Sequence, residues 1–339
     1  MRIAALGRTD ILLNAINILN ENGHDIVLIG TCNEAPEYQV GVEDFEQLAT
    51  SLGAVFFNDA AINKPSNIKL LKEVHADIAV SVNWLTLIGK EVIGAFPLGI
   101  LNAHCGDLPR YRGNATPNWA IINGEKEIGI TIHLMDPDFL DGGPIVLKEY
   151  MPVADNTSIG DIYEYIDRRI PDIFLEAVEG LNNGTVVPVP QPEESEKALR
   201  CYPRIPSDSL IDWNMPAIYL DRLVRASSKP FNGAYTYWNG QKLTVHQAKA
   251  TTYSCPSIAS TGQVLWRSPA TGEVAVATGD GVLVLGKIML EGQEQSMQAS
   301  KILTSNRIRL GTVVEDEIYR FNKRLENMEA IIKELMNER

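Results

Sequence analysis

Residues 1–30 read MRIAALGRTDILLNAINILNENGHDIVLIG. Residues 1–6 and 25–30 are short apolar runs, the pattern of strands buried on both faces. Between them Ile11, Leu12, Ala15, Ile16 and Leu19 recur at helical spacing, which predicts a helix over residues 10–22 with Asp10 as its cap. The unit repeats outward: Glu43–Leu52 reads as helix, Val55–Phe57 as strand, Asn67–His75 as helix and Ile78–Val82 as strand. Strands alternating with helices predict a mostly parallel α/β sheet, with ligands bound beyond the carboxyl ends of the strands. Gly99–Asn102 reads as the next strand, Ile128–Leu134 alternates like another, and Thr157 or Ser158 caps a helix over residues 159–180.

The pattern then changes. Asn182-Asn183-Gly184 and the stretch PVPQPEESE at 188–196 read as linker. A helix expected at 215–227 is followed by short strand-like runs at 234–238, 242–248, 262–266, 273–278 and 282–289, with Asn239-Gly240 as a hairpin signal. Near the end, Ile318, Phe321, Leu325, Met328, Ile332 and Leu335 alternate at spacings of three and four, an apolar stripe on a terminal helix. Too short to stand alone, that stripe must bury against its own domain or a second copy of the chain, and a homodimer is the favoured arrangement. The organisation expected is a catalytic domain over 1–188, a linker over 189–203, a small β domain over 204–312 and an amphipathic helix over 313–339.

A chain of 339 residues suits two domains. No apolar run is long enough to span a bilayer, and the first residues lack a signal-peptide pattern. The cysteines, Cys32, Cys105, Cys201 and Cys255, show no CxxC pair, which argues against a disulfide framework or a metal site and for a reducing cytoplasm. The net charge of −13 is uneven: residues 1–200 hold 14 Lys and Arg against 29 Asp and Glu, whereas residues 201–312 hold 11 against 7.

The chemistry concentrates in Asn102-Ala103-His104 and, 37 residues after His104, Asp141 within Leu140-Asp141-Gly142-Gly143. An imidazole near its ordinary pKa can take a proton from an attacking amine. A side-chain amide can donate to an oxyanion at an acyl carbon, and a carboxylate can orient the imidazole and stabilise its charged form. Between the two motifs run LPRYRG at 108–113, Pro117-Asn118-Trp119 and Asn123-Gly124-Glu125. Cys105 reads as a packed small residue rather than a nucleophile. His24, His75, His133 and His246 form no ligand spacing and receive no role.

This ordered set resembles the catalytic domain of the folate-dependent formyltransferases, which act on methionyl-tRNA, glycinamide ribonucleotide or sugar nucleotides. The resemblance implies a Rossmann-like catalytic domain followed by a small OB-like barrel, and an enzyme that moves a formyl group from N10-formyltetrahydrofolate to a primary amine. It assigns Asn102 to the oxyanion, His104 to the proton and Asp141 to orienting and stabilising charge. It sets the pterin against two loops that match residues 83–88 and 136–141, which makes Trp84, Leu85, Leu87, Ile88, Asp138 and Leu140 cofactor contacts. Trp84 reads equally as core, and Arg110 and Arg112 as cofactor-steering or loop-bracing side chains. The chain departs from the family pattern at Gly106-Asp107 and in the longer loop MDPDFL at 135–140. For the acceptor, no Lys or Arg occurs between Arg8 and Lys64, and the stretch Thr31–Glu46 is acidic. Phosphate contacts by cations dominate nucleic-acid affinity. The expectation is therefore a nucleotide-linked amino sugar and no nucleic-acid or membrane partner. Methionyl-tRNA formylation, hydrolysis of formyl-folate and a non-catalytic folate-binding module are the alternatives.

Overall fold

In the computed structural model, which describes residues 1–34, 40–192, 198–251, 258–311 and 314–337, the opening run folds as β1 (Arg2–Gly7), α1 (Asp10–Glu21) and β2 (Asp25–Thr31). Thr9, not Asp10, occupies the cap of α1, and Asp10 lies in its first turn. All five expected inward residues of α1 are buried. The chain continues through α2 (Val42–Leu52), β3 (Val55–Asn58), α3 (Pro65–Glu73), β4 (Ile78–Val82), α4 (Lys90–Ile93) and β5 (Ile100–His104). Then come β6 (Arg112–Gly113), α5 (Thr116–Asn123), β7 (Glu127–Leu134), β8 (Ile145–Pro152), α6 (Ile159–Asn182) and β9 (Arg200–Cys201). Ser158 caps α6 by accepting from the Asp161 N–H, and Asp161 accepts in return from the Ser158 N–H, a reciprocal box.

Seven strands form one sheet in the order β3-β2-β1-β4-β5-β7-β8. β1 to β5 are parallel; β7 pairs antiparallel with β5, and β8 antiparallel with β7. The parallel strands are almost wholly apolar because helices cover both faces. The antiparallel pairing sets Asn102 directly opposite His133 and His104 opposite Thr131. Directly opposed residues, and residues two apart on one strand, point to the same face. Asn102, His104 and His133 therefore share one face. The register of β7 on β8 shifts between Ile132 and His133, a bulge at the point where β7 enters the site.

The chain divides into two units, 1–204 and 205–339. Much of the stretch read as linker is tied into the first unit. Ile145 and Val189 exchange both backbone hydrogen bonds at 2.8 Å, Gln191 is buried, and β9 pairs in parallel with β6.

The second unit contains α7 (Ala217–Ala226), β10 (Ala234–Trp238), β11 (Gln241–Thr251), β12 (Val264–Ser268), β13 (Glu273–Ala277), β14 (Val282–Leu290), β15 (Met297–Gln298), α8 (Ala299–Ile302) and α9 (Val314–Asn337). Its antiparallel sheet runs β10-β11-β14-β13-β12, with β15 on β14. Residues 308–311 hydrogen-bond to both ends of that order. Val264 N–H donates to Ile308 O and Leu310 N–H to Gly262 O, while Gly311 N–H donates to Tyr237 O. That strap joins the outer strands as a small barrel requires. Asn239 and Gly240 both hold positive φ at the tip of the β10–β11 hairpin. In α9 the stripe residues Ile318, Phe321, Leu325, Met328 and Ile332 are exposed, so they are not buried against their own barrel. The side chain of Leu335 lies outside the described residues.

Candidate active site

β5 ends at the carboxyl edge of the parallel sheet, and Asn102 and His104 are its last two residues on the cleft face. Asp141 arrives on the loop after β7. That loop is shaped by Asp136, whose Oδ1 accepts from the Asp138 and Phe139 N–H groups at 2.8 and 2.9 Å. It closes on Gly143, where a Cβ would strike the Leu134 carbonyl. Asp141 itself is held at φ 55°, a left-handed conformation that only surrounding contacts sustain. Its Oδ2 accepts from the Gly113 N–H at 2.8 Å. Its carbonyl accepts from Gln191 Nε2 at 2.8 Å, and Gln191 Oε1 accepts in turn from Arg112 at 2.6 Å.

His104 Nε2 donates to the Tyr111 carbonyl at 2.6 Å, since a carbonyl only accepts. Its Nδ1 faces Asp141 Oδ2 at 3.7 Å. Gly106 is required here: a Cβ at that position would lie 2.6 Å from His104 Nε2 and collide with the Tyr111 carbonyl. The departure at 106–107 is thus accommodated, and Asp107 anchors the loop by accepting from Lys148 Nζ and Tyr150 Oη at 2.8 Å each. Asp141 also lies 3.7 Å from His133 Nε2 through its other oxygen, so the carboxylate sits between two imidazoles. His133 is almost completely buried. Burial first, and repulsion from His104 second, push its pKa well below the ordinary imidazole range against the pull of Asp141. Burial pushes the Cys105 thiol up to about 12, with Asp167 adding to the shift, so it stays neutral beside the site.

These groups open onto a cleft of about 650 Å³. The structure brings Asn102, His104, Asp141, Trp84, Leu87, Ile88, Asp138 and Leu140 to its wall. Leu87 is 76% exposed and Leu140 46%, an apolar lining left uncovered by protein. Trp84 does both things anticipated for it: one side packs on the core near Phe57, and it also lines the cleft. Two of the residues named for the cofactor are not on that wall. Leu85, its neighbours on the wall notwithstanding, does not line the cleft. Arg110 turns away: it pairs with Glu125 at 2.7 Å, lies over the Tyr111 ring and borders a separate pocket with Lys148 and Leu199. Arg112 braces the loop through Gln191. Sequence reading missed His133, Gln191 and Arg200, all at or against the site. For His133 the usable signal was strand alternation opposite Asn102, legible only once the register was known. Among the described residues no group of acidic, His or Cys side chains is placed to hold a metal ion, and no helix is long and apolar enough to cross a membrane.

A family model described as formyl transferase matches residues 1–178, and one described as formyl transferase, C-terminal domain, matches residues 205–307. The chain belongs to the formyl transferase family. It is 29% identical over 318 residues to a methionyl-tRNA formyltransferase of Syntrophus aciditrophicus, covering 92% of this chain and 98% of the relative. It is 27% identical over 302 residues to that of Agathobacter rectalis, covering 87% and 94%. The N-formyltransferase of Helicobacter canadensis, solved with folinic acid and dTDP-3-aminofucose, superposes with a TM-score of 0.60 at 16% identity, over 84% of this chain and 97% of that one. At that identity the likeness shows the fold alone.

The end-to-end likeness to methionyl-tRNA formyltransferases overturns the expectation of a nucleotide-sugar acceptor and of no nucleic-acid partner. The charge argument failed because it was drawn from one stretch, residues 9–63, whereas cations elsewhere, such as the excess in residues 201–312, can meet phosphates. Part of the acidic stretch used for that argument, residues 35–39, lies outside the described residues.

Proposed function

We propose that this chain formylates the amino group of methionyl-tRNA, using N10-formyltetrahydrofolate as donor. The observation that carries the acceptor is the alignment with methionyl-tRNA formyltransferases over nearly the whole of both chains. The donor fits the cleft: an uncovered apolar wall of Leu87, Ile88 and Leu140 suits a flat ring system, and the polar corner lies at its inner end. Bound there, N10-formyltetrahydrofolate supplies an electrophilic formyl carbon on a nitrogen leaving group.

The chain's own residues divide the rest. His104 keeps Nε2–H on the Tyr111 carbonyl, which leaves the Nδ1 lone pair to accept the proton of the attacking amine. Asp141, 3.7 Å from Nδ1, stabilises the imidazolium that results. Asn102 offers an amide N–H to the oxygen that becomes negative at the acyl carbon. A cytoplasmic setting belongs to the same reading and is supported by the unpaired Cys32, Cys105 and Cys201.

The test is incubation with formyl-folate and either methionyl-tRNA or a panel of nucleotide amino sugars, read by mass. Formyl transfer to methionyl-tRNA that weakens steeply with salt is expected. Transfer to a sugar alone overturns the acceptor assignment.

Assembly is part of the proposal: the exposed stripe of α9 pairs with a second copy. Arg324 and Glu329 flank the stripe five residues apart, the spacing at which opposite charges meet across a parallel two-stranded coil. Deleting residues 314–337 is expected to halve the mass found by light scattering. A monomeric wild type, or a dimer indifferent to the deletion, rejects the pairing.

A further inference from the structure

His133 is the one buried titratable group in the catalytic corner that the mechanism above leaves without a task. It is held from two sides. Its Nδ1 lies 2.9 Å from the Leu134 carbonyl, and its Nε2 lies 3.2 Å from Asn102 Nδ2. A carbonyl only accepts, so Nδ1 carries the ring proton. The ring is neutral, because burial and His104 both oppose a second proton. Nε2 then holds a lone pair and can only accept. Asn102 must therefore turn its NH₂, not its carbonyl, toward His133.

We propose that His133 is a positioning residue for formyl transfer: by fixing the flip of the Asn102 amide, it keeps an N–H aimed at the oxyanion. An amide NH₂ carries two hydrogens. One is used on His133, and the plane it sets directs the other. With no acceptor at that place the amide is free to rotate by half a turn, and the flipped form presents a carbonyl oxygen to the developing negative charge. The same logic explains two neighbouring features. The unbroken antiparallel register of β7 on β5 places the ring opposite Asn102. Gly143 leaves room for the Leu134 carbonyl that selects the tautomer. The charged or titratable groups around the ring are His104, Asp141 and Arg112.

The inference rests on the reading of Asn102 as the oxyanion donor, and the experiments separate the two. In wild-type protein with ¹⁵N-labelled histidine, assigned by the signal that His133→Gln removes, the neutral tautomer protonated at Nδ1 is expected. An Nε2-protonated tautomer overturns the proposal whether or not any activity is found. In kinetics with methionyl-tRNA and formyl-folate, His133→Leu fills the space without an acceptor. It is expected to lower kcat by about 10–100-fold, short of the roughly 10²–10³ lost when an oxyanion donor is removed, with both KM values little changed. His133→Gln places an amide oxygen near the old Nε2 and should recover most of that loss. In an Asn102→Ala background the His133→Leu loss should largely vanish, because two changes on one interaction do not add. Equal loss in the Leu and Gln variants, or a full His133→Leu loss in the Asn102→Ala background, overturns the positioning role. A wild-type rate for Asn102→Ala instead overturns the reading of Asn102.

Discussion

The two walls of the cleft are built on opposite principles. At the inner corner, His104, His133 and Asp141 are polar groups taken out of water with half-buried Asn102 beside them, and each is held by at least one hydrogen bond. On the outer wall, Leu87 and Leu140 are apolar side chains left in water. A corner whose polar groups are already held in place meets the transition state without reorganising, which is the condition for electrostatic catalysis. An exposed apolar wall is stable only by virtue of the rest of the fold, and gains when a ligand covers it. The corner should therefore govern turnover and the wall should govern affinity.

The largest effects should come from the corner. His104→Ala, Asn102→Ala and Asp141→Asn are each expected to lower kcat by about 10²–10⁴-fold. Binding of formyl-folate, measured by fluorescence or calorimetry, should persist in all three. If affinity falls in step with turnover, the division between corner and wall is wrong.

The legibility of the sequence follows the same division. Asn102, His104 and Asp141 stood out because they are unusual residue types in two short local motifs, and β1, α1 and β2 because their periodicity is local too. His133 and Gln191 were hidden because their roles depend on non-local pairings. His133 matters through the antiparallel register of β7 on β5, which the reading of parallel strands did not anticipate. Gln191 reaches Asp141 across 50 residues, from a stretch whose composition reads as linker. Arg110 shows the complementary case. A cation in a motif looks available until its partner, Glu125, is folded beside it.

Effects of middling size should come from the wall. Leu87→Ser removes apolar surface that formyl-folate would cover, worth on the order of 1–2 kcal/mol. The Kd of formyl-folate should rise about tenfold, with kcat at saturation near wild type. A drop in kcat with unchanged affinity would show that Leu87 belongs with the corner. Leu85→Ser, a change beside the cleft but not in it, serves as the control and should leave the Kd unaltered.

The smallest effect sharpens the comparison from behind the sheet. Asp167 on α6 is half-buried, less so than His104, His133 and Asp141, yet its carboxyl is pushed up to about 6, by burial first and by Asp10 second. The folded chain thus holds this proton more tightly than the unfolded chain, whose carboxyl titrates near 4. The sign follows from that difference. The stabilisation is complete below about pH 4 and is lost as pH rises through about 6, so at neutral pH the ionised group weakens the fold. Asp167→Asn should therefore raise stability at pH 7 by on the order of 1 kcal/mol, a value reduced for partial solvent screening. It should also flatten the dependence of the melting temperature on pH between about 4 and 6, while kcat stays at the wild-type value. Chemical denaturation at pH 5 and pH 7 measures both. A loss of stability at pH 7 would mean that the Asp167 carboxylate is held by interactions that outweigh its burial. In that case the back of the sheet would be organised like the corner, and engagement of buried polar groups would be a property of the whole unit, not a mark of its active site.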